Sequence, residues 1–105
     1  MNNNRRKSLN GVINEINYIL NDVENLFSPI ENLSSQLEDI CTEEQDCLEN
    51  IPENLINSER YEISENAVDC MNEAIDNFEE AKEYLDSLKT NLENIMSKLD
   101  EAKGR

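Results

Sequence analysis

From Ser58 to Lys103 the chain contains neither Gly nor Pro, and most of its apolar residues keep helical phase. Tyr61, Ala67, Val68, Met71, Ala74, Ile75, Phe78, Ala81, Leu85, Leu88, Leu92, Ile95, Met96 and Leu99 form one stripe at three- and four-residue steps. Within it Ser64, Met71, Phe78, Leu85, Leu92 and Leu99 recur every seven residues, the spacing of a coiled-coil seam. A segment of this kind folds as one long helix over 58–103, its stripe running for about eleven turns. Ser58 supplies an N-cap, Glu59 and Glu62 fall in the first turn, and Lys98 and Lys103 lie near the end, each where the helix dipole favours it.

Two further helical segments precede it. Leu9, Val12, Ile13, Ile16, Ile19, Leu20, Val23, Leu26 and Phe27 give a helix over 8–27, with Asn10, Asn14, Asn17, Asn21 and Asn25 along its other side. Ser28-Pro29-Ile30-Glu31 has the form of a capping box with Pro at the first helical position, so a second helix is expected over 29–51. Its apolar positions are Ile30, Leu33, Leu37, Ile40, Cys41, Cys47, Leu48 and Ile51. Pro52 ends it, because Pro removes an amide donor and restricts Ile51, and Glu53–Asn57 forms the turn. Met1–Lys7 is polar and is expected as a flexible N-terminus ahead of one helical domain over 8–105.

Lengths suggest the packing. The last helix spans roughly 69 Å at 1.5 Å per residue, and the first two laid end to end span about the same. The expected fold is therefore all-α: a long antiparallel helical hairpin whose first arm is kinked or broken at Pro29. Folding the first helix back at Ser28 into a three-helix bundle would leave an apolar end of the last helix bare. Two helices side by side cannot cover stripes this wide, so assembly into a helical bundle homo-oligomer is expected.

Composition narrows the function classes. The net charge is −15, from 24 acidic and 9 basic residues, with no His and no Trp. That charge argues against direct nucleic-acid binding through a basic face. Absence of His removes the commonest general base and the commonest metal ligand. No apolar run approaches the ~18 residues of a membrane span, and Met1–Lys7 does not lead into a secretory signal, so a cytoplasmic protein with no membrane partner is expected. Cys41, Cys47 and Cys70 form no CxxC and read as reduced core thiols. Glu43, Glu44 and Asp46, and Glu79, Glu80 and Glu83, read as solvated faces and not as metal sites. No nucleophile–base pair, phosphate loop or dinucleotide fingerprint is present, so neither enzymatic activity nor a cofactor is expected.

Arg60 stands out. It is the one cation between Lys7 and Lys82. At N2 of a helix capped by Ser58, its forked guanidinium would lie beside free amides and the positive dipole end, an arrangement suited to phosphate. Tyr61 beside it could stack on a base. Ser58, Arg60 and Tyr61 are thus candidate ligand-binding residues, with Arg5, Arg6 or Lys7 of a neighbouring copy as further cations. The plainer reading is an ion pair from Arg60 to Glu49, Glu53 or Glu65.

The segment Glu43-Glu44, Asn50-Ile51-Pro52-Glu53-Asn54-Leu55 and Ser58-Glu59-Arg60-Tyr61-Glu62, followed by Ala67, Ala74 and Ala81, resembles a family of small, acidic, helical proteins of phages and prophages from low-GC bacteria. The likeness covers roughly residues 38 to 88; the N-terminal helix is outside it. It implies a bacterial host cytoplasm and a non-enzymatic role in countering host defence. Two routes fit: an oligomer that sequesters a nucleotide-derived immune signal at Arg60, or an acidic nucleic-acid mimic that blocks a basic host protein, as some CRISPR inhibitors do. A structural coiled-coil scaffold is the third.

Overall fold

The computed structural model describes residues 1–55 and 58–104. Ile56 and Asn57, expected within the turn, lie outside the described residues, as does Arg105 at the end of the expected domain. The fold is all-α: helix α1 (Asn3–Glu49), a 3-10 turn (Glu53–Leu55) and helix α2 (Glu59–Ala102).

The expected break at Pro29 is absent, because α1 runs unbroken through it. The local capping signal is overridden by apolar phase, which passes through Phe27, Ile30 and Ser34 without a shift. A packed seam can hold a helix across the one amide hydrogen bond that Pro removes. The three-helix alternative falls with the same observation. The N-terminal segment also differs from expectation. Residues 3–7 are helical, and Asn2 caps them: its Oδ1 accepts from the Arg5 amide at 2.9 Å.

The chain divides into two compact units. Unit 1 combines Met1–Ser28 with Lys82–Arg105, and unit 2 is Pro29–Ala81. Each contains an antiparallel pair of helix segments. In unit 1 the buried cluster is Ile16, Val23 and Leu92, with Leu20, Phe27, Leu85, Met96 and Leu99 packed against it. In unit 2 it is Cys41, Leu48 and Val68, joined by Ile51, Tyr61, Met71 and Ile75. All of these fall on two heptad rows per helix. Setting Ile13 and Val68 at position a places every one of them at a or d.

Two other rows follow from that setting, and they are unlike each other. The e rows pass beside a. In unit 1 they hold Asn10, Asn17 and Glu24 on α1, with Asp86, Glu93 and Asp100 on α2. In unit 2 they hold Glu31, Glu38 and Gln45, with Glu65, Asn72 and Glu79. Contacts fix this side of each unit: Lys103 Nζ donates to Asn10 Oδ1 at 2.7 Å, Lys89 Nζ lies 3.9 Å from Glu24, and the Cys41 thiol donates to Asn72 Oδ1 at 3.5 Å. The g rows flank d on the other side. They hold Val12, Ile19 and Leu26 with Leu88, Ile95 and Ala102 in unit 1, and Leu33, Ile40 and Cys47 with Ala67, Ala74 and Ala81 in unit 2. Every Leu, Ile and Val of the g rows is exposed, Leu33 at 53% and Ile40 at 54%.

The placement of thiols departs from expectation. Cys41 is buried, but Cys47 and Cys70 are exposed. Cys47 belongs to a g row and Cys70 to position c, so neither enters the seam.

Candidate functional site

The site is built where α1 gives way to α2, within unit 2. The amides of Asn50 and Ile51 bond back to Asp46 and Leu48, and Pro52 has no amide with which to continue the helix. The chain turns tightly instead, with the Leu55 amide on the Pro52 carbonyl at 2.9 Å and the Ser58 amide on the Leu55 carbonyl at 3.0 Å. Ser58 then opens α2 as expected. Its Oγ accepts from the Tyr61 amide at 3.2 Å, and its carbonyl accepts from the Glu62 amide at 3.2 Å. The amides of Glu59 and Arg60, the first two of α2, have no hydrogen-bond acceptor among the described residues.

A cleft of about 350 Å³ lies against this turn. Arg60, Ser58 and Ser64 line it from α2, Glu44, Cys47 and Asn50 from α1 and its end, and Ile51, Pro52 and Leu55 from the turn. Arg60 is exposed and makes no ion pair or hydrogen bond among the described residues. The pairing to Glu49, Glu53 or Glu65 is therefore not made. Asn50 Nδ2 is engaged with the Asp46 carbonyl at 2.9 Å, and its Oδ1 keeps its capacity to accept. The Ser58 hydroxyl, accepting from Tyr61, keeps a proton to donate.

Tyr61 is not part of this cleft. It occupies position a, one residue beyond Arg60, and packs against the Cys41, Leu48 and Val68 cluster. Its ring supports the core and does not stand free beside the guanidinium. Arg5, Arg6 and Lys7 belong to unit 1. There Arg6 Nε donates to the Lys103 carbonyl at 3.0 Å and its Nη1 to Asn3 Oδ1 at 3.3 Å, so this guanidinium caps the end of α2. Cys47, Asn50 and Glu44 line the cleft, although nothing in the local sequence marks them as ligand-binding. Their signal is in the heptad phase, since Cys47 and Arg60 both fall on g rows and Glu44 and Ser64 both on d rows.

No family model, curated protein or solved structure matches the chain. The chemistry open to the cleft is that of its own groups. It offers the Arg60 guanidinium, unpaired among the described residues, and the Ser58 hydroxyl for an anion, beside the apolar wall of Ile51, Pro52 and Leu55. Glu44 limits the choice: its carboxylate opposes a second negative group on that side of the cleft. Glu59 and Glu62 already answer part of the helix dipole. Among the described residues no cluster of three Cys, Asp or Glu side chains is placed to hold a metal ion, and no helix is long and apolar enough to cross a membrane.

Proposed function

We propose that this is a non-enzymatic, phage-type binding protein that works as a self-associated helical assembly and sequesters a small phosphate-bearing ligand, a nucleotide-derived immune signal, at the Arg60 cleft. The observation that carries the reading is the unpaired Arg60. In a chain with 24 carboxylates, its guanidinium lines a cleft at a serine-capped helix start and makes no ion pair among the described residues. Arg60 and the first amides of α2 hold the phosphate, Ser58 donates to it, and the Ile51–Pro52–Leu55 wall takes the less polar part of the ligand. Tyr61 fixes the start of the helix from behind.

Calorimetry against cyclic dinucleotides and ADP-ribose-type signals tests this. Binding by the wild type that is lost in Arg60→Ala, with helicity unchanged, is the expected result. Absence of heat from the wild type across that panel contradicts it.

One observation favours a second reading. The e rows carry Glu24, Asp86, Glu93 and Asp100 in unit 1 and Glu31, Glu38, Glu65 and Glu79 in unit 2, so carboxylates repeat along one side of each helix pair. A repeated line of negative charge imitates a phosphate backbone and would occupy a basic groove. That reading predicts a salt-sensitive complex with a basic host nuclease, indifferent to Arg60→Ala. A pull-down unaffected by salt contradicts it.

A further inference from the structure

We infer that the g-row face is where a second copy of this chain docks, so that two antiparallel helix pairs close into a four-helix bundle. The inference rests on the proposed self-association and deepens it by assigning the surface.

Charge is the first ground. The g rows contain no carboxylate, although the chain carries 24. Two copies, each at −15, can meet closely only where neither presents acid, and the opposite e-row face excludes that approach. A basic partner would be drawn to the e rows instead.

Shape is the second. In unit 2 the g row of α1 is bulky, with Leu33 and Ile40, whereas that of α2 is small, with Ala67, Ala74 and Ala81. A shallow depression of about 290 Å³, lined by Ala74, Asn77, Phe78 and Ala81, lies along the small row. A two-fold axis parallel to the helices sets the bulky row of each copy over the small row of its partner, knob into hollow. In unit 2 the surface is thus complementary to itself.

Area is the third. The g-row face of one helix pair, ~30 Å long and ~20 Å wide, presents on the order of 600 Å², close to the ~800 Å² each partner gives to a stable complex.

Sedimentation equilibrium of the full chain tests the assignment. The wild type is expected at twice 12.1 kDa at micromolar concentration. Ile19→Glu with Ile40→Glu is expected to weaken association at least a hundredfold and give the single-chain mass. The uncharged pair Leu33→Gln with Ile95→Gln should act in the same direction if the charged variant loses helicity by circular dichroism. Glu38→Gln with Glu93→Gln, on the e rows, should leave the mass at two chains. A single-chain or greater than two-chain mass for the wild type overturns the proposal, as does an unaltered mass for helical g-row variants or dissociation of the e-row variant. Arg60 lies on a g row as well as in the cleft, so Arg60→Ala is read by sedimentation beside calorimetry: binding lost at a two-chain mass concerns the ligand site alone, and a single-chain mass for the helical Ile19→Glu with Ile40→Glu variant concerns the docking face alone.

Discussion

Ser34 shows how little the seam tolerates polarity. It is 2% exposed at an a position of unit 2, and its Oγ has no hydrogen-bond partner among the described residues. A buried hydroxyl left unpaired costs about 1–3 kcal/mol. Ser34→Ala removes that cost with little loss of packing volume and is expected to stabilise the chain by about 1 kcal/mol in urea unfolding; destabilisation would mean the hydroxyl is satisfied in solution. Ser58→Ala is expected to act oppositely, by about 1 kcal/mol, since the Tyr61 amide loses its acceptor. Faster amide exchange confined to the first turn of α2 would accompany it. At this scale the sequence is informative where chemistry is local. Ser58 is legible as a cap because a hydroxyl, two acids and an apolar run stand in the right order. Arg60 is legible because it is isolated in sequence. Tyr61 misleads, because adjacency along the chain counts for less than heptad phase: one residue turns a side chain ~100° around a helix, and that rotation carries it from the cleft to the core.

Among the helices, continuity is the harder property to read. Pro52 and Pro29 have the same local chemistry, yet one ends α1's reach and the other lies inside it. The difference lies in the residues C-terminal to each. After Pro52 the apolar phase lasts only to Leu55, since the next a and d positions in that register would be Ser58 and Glu62, whereas after Pro29 it continues through Ile30, Leu37, Cys41 and Leu48. Replacing Pro29 with Ala restores an amide donor within α1 and is expected to stabilise the helix by up to about 3 kcal/mol, with slower amide exchange around residues 25–33. A loss of stability would show that Pro29 fits a bend the packing requires. The far end of α2 needs no tertiary context. Gly104 takes φ 74°, a left-handed position, its amide bonds to the Glu101 carbonyl at 3.0 Å, and the helix closes there.

For the whole molecule, the sequence already holds too much apolar surface for two helices, but does not reveal where the surplus lies. Stripe width is visible in the spacing; its division into a buried seam and a bare g-row flank emerges once the a and d rows are fixed by packing. Each helix pair therefore has two faces of opposite character, one rich in carboxylates and one free of them, and the second is the face proposed to meet a second copy. Because like charge opposes that union, added salt should tighten association, and a rise from 50 to 500 mM NaCl, which shortens the Debye length from about 14 Å to about 4 Å, is expected to favour the assembled form in sedimentation. Weakening by salt would instead indicate that ion pairs hold the copies together. The most direct measurement is native mass spectrometry of the full chain purified from cells that express it. Two chains together, carrying a small phosphate-bearing adduct that disappears in Arg60→Ala, is the result expected. A bare single chain would contradict both the assembly and the site.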